Sequence, residues 1–198
     1  MDKLDRKLIE ELDMRPDASI SSVAKKLRVS PQVADYRLKR LIEQKVVLKF
    51  GTIVNLKALG LEQYRIFFTL GAKKNFSNED VFGYLKKRKG VYWACRVGGK
   101  YDLHVVLFAK DYTEFDNFMD DINKQFPGLI QDTKACYGLE HRIYHHKYMG
   151  GGDSCFSYSS SDALVDVDAI DLDILRMLKD DCRLSSLDIA KGKDYSYR

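Results

Sequence analysis

The sequence predicts an α+β protein in which a small helical unit precedes a unit of mixed strands and helices. Apolar residues recur at helical spacing over residues 4–42, whereas strand-like runs alternate with helical stripes over residues 64–139. A chain of 198 residues favours two small domains over one large domain. The composition, 45% hydrophobic and 31% charged, is that of a chain that folds around a packed core.

Three short helices are predicted at the N-terminus. The first covers residues 4–14 with Asp2 or Asp5 as its cap, and Ser19 caps the second, which continues to residue 27. The third opens at Ser30-Pro31, since proline at the first helical position loses no hydrogen bond. Its predicted inward-facing positions are Val33, Leu38, Leu41 and Ile42. A turn over residues 28–30 between two short helices is the helix-turn-helix arrangement.

Positive charge is concentrated on this third helix and its flanks. Residues 25–49 contain eight basic residues against two acidic ones, although the whole chain has a net charge of only +4. Residues 46–54 alternate loosely around Gly51, which predicts a short β-wing. Residues 1–60 are therefore predicted to form a winged helix-turn-helix domain and a hinge.

The second unit, predicted over residues 61–148, has the element order βαββαβ, which is typical of a ferredoxin-like sheet. Its predicted strands are residues 64–70, 91–97, 103–108 and 130–139. Apolar stripes starting at Val81 and at Phe115 predict the two helices. The first strand is apolar on both faces, and we expect the second face to pack against the sheet of a partner in a homodimer or a higher oligomer.

The C-terminal part of the sequence repeats its beginning. Residues 149–167 are rich in Gly and Ser and are predicted to be a linker. Beyond it, a shift of 166 positions aligns Leu4 with Ile170, Leu8 with Ile174 and Ser19 with Ser185 without a gap. Residues 168–198 therefore resemble the first two helices of a second, partial helix-turn-helix.

Several segments together resemble the leucine-responsive regulatory protein (Lrp/AsnC, feast/famine) family of transcription regulators. They are residues 4–9, residues 22–27, residues 29–31 together with 37–41, Gly60 and residues 99–102. The resemblance covers residues 1–149 and is specific in combination. It implies that a winged helix-turn-helix binds DNA and that a ferredoxin-like sensor domain forms dimers, which assemble further and bind amino acids between dimers. The linker and the partial repeat depart from the family's usual ending.

The predicted DNA contacts lie on and around the third helix. Gln32, Asp35, Tyr36 and Arg37 occupy its first turns, where side chains reach base edges in a major groove. Cations beside them suit phosphates, which add salt-dependent affinity. The full predicted set is Ser30, Gln32, Val33, Asp35, Tyr36, Arg37, Lys39, Arg40, Lys26 and Lys45. The alternatives are a solvated basic face and, for Asp35, a simple ion pair with Lys39.

A loop between the second and third predicted strands is the candidate effector site. Gly98 and Gly99 let the backbone approach a ligand, and Asp102 beside Tyr101 can accept hydrogen bonds from an ammonium group. A small zwitterion such as an amino acid needs such a carboxylate. The alternative is a tight turn in which Asp102 satisfies only local N–H groups.

Other classes of protein are less well supported. The charged N-terminus has no signal-peptide pattern and the apolar runs are too short for a membrane span, so we expect a cytoplasmic protein. The scattered cysteines predict free thiols, and His141, His145 and His146 near Cys136 lack the spacing of a metal site. No cofactor or catalytic residue is predicted. A sirohaem decarboxylase-like enzyme using His104 and His141, and a sensor that does not bind DNA, remain the alternatives.

Overall fold

The protein is described by a computed structural model that covers residues 1–71, 76–144, 155–159 and 162–193. Its helices are Lys3–Met14 (α1), Ile20–Leu27 (α2), Pro31–Glu43 (α3), Asn78–Lys87 (α4), Tyr112–Gln125 (α5), Ala169–Asp180 (α6) and Ser186–Lys193 (α7). Its strands are Glu62–Leu70 (β1), Val91–Arg96 (β2), Leu103–Ala109 (β3), Ile130–Tyr137 (β4), Glu140–Tyr144 (β5) and Cys155–Ser159 (β6). None of the described helices is long and apolar enough to cross a membrane.

The chain divides into two compact units. The first contains Met1–Val54, Arg142–Phe156 and Val167–Arg198, so the C-terminal helices belong with the N-terminal ones. The second contains Asn55–His141 and Ser157–Asp166. The boundary near residue 54 lies within the hinge that the sequence places at the end of its first domain.

The helices of the first unit begin at side-chain caps that the sequence signals. Asp2 and Asp5 form a capping box on α1, and Ser19 and Ser30 accept the N–H groups of Ser22 and Val33. Arg28 ends α2 in the left-handed conformation, with φ of 56°, and turns the chain into α3. The core between the three helices consists of Leu8, Leu12, Val23, Leu38 and Leu41.

Two predictions for this unit are wrong in detail. Val33 and Ile42 are 41% and 44% exposed, and Ala34 instead takes the inward position because residues 34, 38 and 41 share one face of the helix. The described residues 46–54 contain no strand. Rather than pairing within a wing, Thr52 and Phe50 form backbone hydrogen bonds with Leu178 and Cys182.

The second unit is built on a four-stranded antiparallel sheet with the order β2-β3-β1-β4. The elements β1, α4, β2, β3, α5 and β4 follow each other in the predicted order. Alternate residues of β1 and β3, including Ile66, Phe68 and Val105, are fully buried beneath α4 and α5. This face holds the larger of the two cores.

The opposite face of the sheet carries aromatic and polar side chains. His104 of β3 stacks on Phe67 of β1 at 4.2 Å between ring centroids and meets the edge of Trp93 at 5.2 Å. Trp93 is 47% exposed. We call this surface, formed by Gln63, Arg65, Phe67, Trp93, His104 and Phe108, the open sheet face.

The C-terminal segment is more ordered than a linker. Within the predicted linker, residues 155–159 form β6, which pairs with β5, while residues 149–154 and 160–161 lie outside the described residues. Tyr158 of β6 is buried and stacks on His141 at 5.0 Å. Its aromatic ring explains the order, because it buries apolar surface that a Gly/Ser segment lacks.

The helices α6 and α7 reproduce α1 and α2 at an offset of 166 residues. Each pair has lengths of 12 and 8 residues, and Asp168 with Asp171 repeats the capping box of Asp2 with Asp5. Ser185 accepts the N–H of Asp188, as Ser19 accepts that of Ser22. The sequence repeat is therefore also a repeat of local structure.

Candidate nucleic-acid interface

The third helix exposes one continuous stripe opposite its buried face. Gln32, Tyr36, Lys39 and Glu43 follow each other at intervals of three and four residues and are all exposed. Tyr36 is 66% exposed although it is aromatic. A helix held from behind by a packed core, with hydrogen-bonding side chains in front, is the arrangement that fits a major groove.

Ser30 and Val33 frame the start of this stripe. The hydroxyl of Ser30 accepts the N–H of Val33 at 3.2 Å, so its first role is to cap the helix. The exposed side chain of Val33 lies beside the stripe and can meet an apolar group such as a thymine methyl. The predicted site residues Ser30, Gln32, Val33, Tyr36 and Lys39 thus occupy one surface.

Arg37 and Arg40 are directed away from that stripe toward α1. Nη1 of Arg37 donates to Asp5 at 2.8 Å and to Asp2 at 2.7 Å. Arg40 donates to the other oxygen of Asp5, also at 2.7 Å. Asp5 is only 1% exposed, so this network lies at the junction of α1 and α3 and fixes the angle at which α3 is presented.

These contacts move the pKa values of the carboxyl groups. The hydrogen bond from Arg37 is the main reason that the pKa of Asp2 is lowered to about 2. Burial raises the pKa of Asp5, but hydrogen bonds from the Asp2 N–H and from Arg37 outweigh it and leave that pKa lowered. The same pairing raises the pKa of Arg37, so the network stays fully charged near neutral pH.

Lys26 joins a similar but smaller cluster. Its ammonium group lies 2.5 Å from the carboxylate of Glu11, which Arg15 also binds at 2.6 Å. Glu11 is buried, whereas the side chain of Lys26 is 62% exposed. Burial raises the pKa of Glu11, but the hydrogen bonds from Lys26 and Arg15 leave it lowered.

The remaining predicted cations are exposed. Lys39 lies 2.7 Å from Asp35, which is the i,i+4 pair expected from their spacing. This bond raises the pKa of Lys39. Lys45 follows α3 in the left-handed conformation, with φ of 56°. Both ammonium groups can therefore reach a phosphate, and Asp35 partly offsets the charge of Lys39.

Sequence reasoning missed the carboxylates that hold the arginines. Asp5 was identified as a cap, but its partners lie 32 and 35 residues further along the chain. One signal was present, because Asp5 stands beside Leu4, Leu8 and Leu12 on the side of α1 that faces the core. A charged residue at that position needs a buried partner. Glu43 was also missed, although its spacing from Lys39 places it on the exposed stripe.

The predicted effector loop is a tight connection between β2 and β3. Asp102 accepts the N–H of Leu70 at 2.8 Å through Oδ2 and donates its own N–H to Phe68. Gly99 has φ of 106°, which favours glycine, and a Cβ at Gly98 or Gly99 would meet no atom within 4 Å. Tyr101 packs against Phe67. One oxygen of Asp102 therefore binds the end of β1 rather than a local N–H group, and the glycine backbone beside it is open.

The two described histidines, His104 and His141, lie in strands β3 and β5. Within residues 1–71, 76–144, 155–159 and 162–193, no group of three metal-ligating side chains comes together. Nδ1 of His141 lies 3.0 Å from Nε2 of Gln63. Burial, and then the charge of Arg65, lower the pKa values of His104 and His141. His145 and His146 lie outside the described residues.

Comparison with known proteins identifies relatives over most of the chain. Residues 1–42 match the AsnC-type helix-turn-helix domain. The transcriptional regulator AzlB of Bacillus subtilis is 30% identical over 148 residues, which are 72% of this chain and 92% of that protein. An uncharacterized HTH-type transcriptional regulator of Pyrococcus horikoshii is 29% identical over 132 residues, which are 66% of this chain and 88% of that protein.

Solved structures share the fold. An AsnC family transcriptional regulator from Agrobacterium tumefaciens superimposes with a TM-score of 0.65 at 18% identity, covering 74% of this chain and 95% of that one. A transcriptional regulator from Neisseria meningitidis, solved as its complex with L-Met, gives 0.65 at 22% identity over 74% and 94% of the two chains. Together with the N-terminal helix-turn-helix and the antiparallel α+β unit, these relatives establish that the chain belongs to the AsnC/Lrp family of transcriptional regulators.

Proposed function

We propose that the protein regulates transcription in the cytoplasm by placing α3 in the major groove of double-stranded DNA. The observation that carries this proposal is the exposed stripe of Gln32, Tyr36 and Lys39 opposite the buried Ala34, Leu38 and Leu41. Gln32, Val33 and Tyr36 read base edges, because they are exposed and near the N-terminal end of the helix. Lys39, Lys45 and Lys26 contact phosphates.

Arg37 and Arg40 have a different part in this proposal. Base reading by Arg37 and phosphate binding by Arg40 stay predictions, and their bonds to Asp2 and Asp5 favour a positioning role. A guanidinium that leaves Asp5 would remove one of the two cations bound to this buried carboxylate, at a cost of about 2 kcal/mol. The two arginines therefore hold α3 at a fixed angle to α1, and phosphate binding by Arg40 would use the exposed part of its guanidinium, because its Nε is buried.

The second unit supplies the proposed sensing and assembly functions. We propose an amino-acid effector at Gly98, Gly99, Tyr101 and Asp102, where open backbone donors and a carboxylate complement a zwitterion. The regulator from Neisseria meningitidis, which shares the fold, was solved in complex with L-Met, and this supports an amino acid as the class of ligand. No other cofactor is proposed, and the likeness to transcriptional regulators favours a non-enzymatic role.

A homodimer, from which higher oligomers assemble, is proposed to form through the open sheet face. Nε2 of His104 and Oε1 of Gln63 are buried there and have no hydrogen-bond partner within the described residues. Each such atom costs about 1–3 kcal/mol unless a partner binds it. Trp93 adds exposed aromatic surface beside them. A second copy would cover the exposed ring of Trp93 and present two reading helices to two half-sites.

The domain assignment of the C-terminal segment is also a proposal. The matching caps and lengths of α6 and α7 support a partial second helix-turn-helix over residues 168–198. A winged form of the first motif would require residues 46–54 to pair as strands in a DNA-bound state. We retain 1–60 and 61–148 as the DNA-binding and sensing domains, with residues 149–167 between the second domain and the repeat.

The proposed function is tested by selecting bound duplexes from random DNA with the full chain, in the presence and absence of an amino-acid panel. We expect a recurrent, two-fold symmetric sequence whose affinity falls steeply with salt and changes with one of the amino acids. Tyr36→Ala should abolish the enrichment, whereas Tyr112→Ala, an exposed tyrosine at the start of α5, should not. No enrichment, or salt-independent binding, would contradict the proposal.

A further inference from the structure

The end of α6 is attached to the segment that follows α3. The backbone N–H of Thr52 donates to the carbonyl of Leu178 at 3.1 Å, and the N–H of Cys182 donates to the carbonyl of Phe50 at 2.8 Å. Two backbone hydrogen bonds in opposite directions join this segment to the last turn of α6 and to the residues that follow it. The attachment therefore has a defined geometry and is more than a contact of surface side chains.

Side chains on both segments complete this attachment. The guanidinium of Arg183 lies 4.9 Å from the centroid of the Phe50 ring and donates to the carbonyl of Ala18 at 3.3 Å. A Cβ atom at Gly51 would come within 2.7 Å of the carbonyl oxygen of Lys179. Gly51 thus permits a backbone approach that any other residue would block. We call Ala18, Phe50, Gly51 and Thr52 the docking surface.

The α6 part of the docked segment carries the charge opposite to that of its site. Residues 168–181 contain five aspartates against Arg176 and Lys179, whereas residues 25–49 have eight basic residues against two acidic ones. Asp180 lies 3.8 Å from Lys49, which belongs to that basic run. Charges within about 8–10 Å of each other interact at physiological salt, so the docked helix lowers the positive potential of its unit.

We propose that the C-terminal segment docks on this surface through the end of α6 and Arg183, within one chain, and weakens the binding of duplex DNA. The inhibitory part rests on the proposed DNA-binding function, whereas the docking does not. The docked end of α6 places Asp180 beside Lys49 and fixes the segment after α3. Its release raises the affinity for DNA, and the effect shrinks as salt screens the charges.

The docking is tested first, by hydrogen exchange of the Thr52 amide in the full chain. Gly51→Ala places a methyl group against the carbonyl of Lys179, and Arg183→Ala removes the contacts with Phe50 and Ala18. We expect each variant to speed exchange at Thr52 by about tenfold or more. Gly83→Ala, where a Cβ meets nothing within 4 Å, and Arg176→Ala, whose partner Asp173 lies on its own helix, are the matched controls.

The inhibitory role is tested with the same variants on a 40-base-pair duplex of random sequence at about 0.1 M salt. We expect Gly51→Ala and Arg183→Ala to bind about three to ten times more tightly than the parent and the controls, with the difference lost at about 0.5 M salt. Arg183→Ala removes a cation, so a gain in its affinity cannot come from its own charge.

Three results would overturn parts of the proposal. Unchanged exchange at Thr52 in both docking variants would remove the docking, and faster exchange with unchanged DNA affinity would remove the inhibition. Protection of Thr52 that falls on dilution would place the contact between two copies of the chain. If neither the parent nor the variants bind duplex DNA, the inhibitory role falls with the proposed function, while the exchange data still decide the docking.

Discussion

The pairs α1–α2 and α6–α7 begin with the same local structure but differ in their surroundings. Asp2 and Asp168 each cap their helix by accepting the backbone N–H groups two and three residues further along the chain. Leu8 and Val23 are completely buried, whereas their counterparts Ile174 and Ile189 are only half-buried. The difference arises from α3, whose Leu38 and Leu41 close the first core, since no helix follows α7 within the described residues.

Local sequence sets the bounds of the helices in both pairs, whereas the closed core of the first pair depends on a third helix. Capping boxes and helical spacing are sufficient to set the bounds of both pairs. A closed core and a network around Asp5 require side chains of α3 that lie more than 30 residues away. The proposed DNA-reading surface therefore depends on α3, which packs on the first pair and has no counterpart after α7 within the described residues.

The largest expected difference between the pairs is in core stability. Leu8→Ala removes a fully buried side chain and should lower the free energy of unfolding by about 3 kcal/mol. Ile174→Ala, at the corresponding place in α6, should cost less than about 1 kcal/mol, because solvent already reaches that site. Denaturant unfolding of the full chain measures both. Equal losses would show that the second pair is as tightly packed as the first.

A smaller difference is expected at the capping carboxylates. Asp5→Asn leaves Arg37 and Arg40 without their shared carboxylate and should cost about 2 kcal/mol. Asp171→Asn replaces the carboxylate that accepts the N–H of Asp168 with a neutral amide oxygen and should cost about 0.5 kcal/mol. The same unfolding measurement applies, and a loss from Asp171→Asn as large as that from Asp5→Asn would contradict the account.

The same network makes the first pair sensitive to acid. The pKa of Asp2 is lowered to about 2, and the pKa values of Asp5 and Glu11 are also lowered. A carboxylate whose pKa is lowered by folding stabilises the folded state fully at pH values above its ordinary pKa of about 4. This stabilisation is lost as the pH falls through the pKa of the folded state. Stability should therefore fall between about pH 4 and pH 2, and less steeply in Asp5→Asn. If the free energy of unfolding of Asp5→Asn falls with pH as steeply as that of the parent, Asp5 does not contribute to acid unfolding.

Lys39 is expected to contribute little to the affinity for DNA, and this contribution should depend on the salt concentration. Lys39→Ala should reduce the slope of log affinity against log salt by about one unit, because one phosphate contact is lost. Lys124 is the control, since it also pairs with an aspartate four residues earlier but lies on α5. A matching change in Lys124→Ala would indicate an effect of net charge alone.

The smallest expected effect concerns the serine caps. Ser19→Ala removes the acceptor of the Ser22 N–H and should destabilise the first unit by about 1 kcal/mol. Ser185→Ala removes the corresponding bond at α7. Because α7 is more exposed, we expect faster local amide exchange in residues 186–190 with little change in global unfolding. Global destabilisation by Ser185→Ala would show that α7 is part of the main cooperative unit.

Much of this fold could be predicted from local signals. Ser30 followed by Pro31 marked the start of α3, and the order βαββαβ followed from periodicity alone. The exposed positions of Gln32, Tyr36 and Lys39 also follow from spacing once α3 is recognised. The inward position of Ala34 was less visible, because hydrophobicity favoured the larger Val33.

Features that depend on distant partners could not be predicted. The wing was expected from Gly51 and its alternating neighbours, but Phe50 and Thr52 bond to residues about 130 positions away. Strand β6 lies in a Gly/Ser-rich segment, where composition favours a linker and a single buried Tyr158 favours order. Local sequence does not identify the distant partner in such pairing, because every residue except proline offers the same backbone N–H and C=O groups.

The central claim is that the exposed stripe of α3 reads base edges, and it is tested most directly by specificity. The affinities of the full chain for a selected duplex and for its scrambled sequence are compared in Gln32→Ala, Tyr36→Ala and Lys39→Ala. We predict that the first two variants lower the ratio of specific to non-specific affinity by about tenfold, whereas Lys39→Ala weakens both affinities and preserves the ratio. An unchanged ratio in both Gln32→Ala and Tyr36→Ala would contradict the claim.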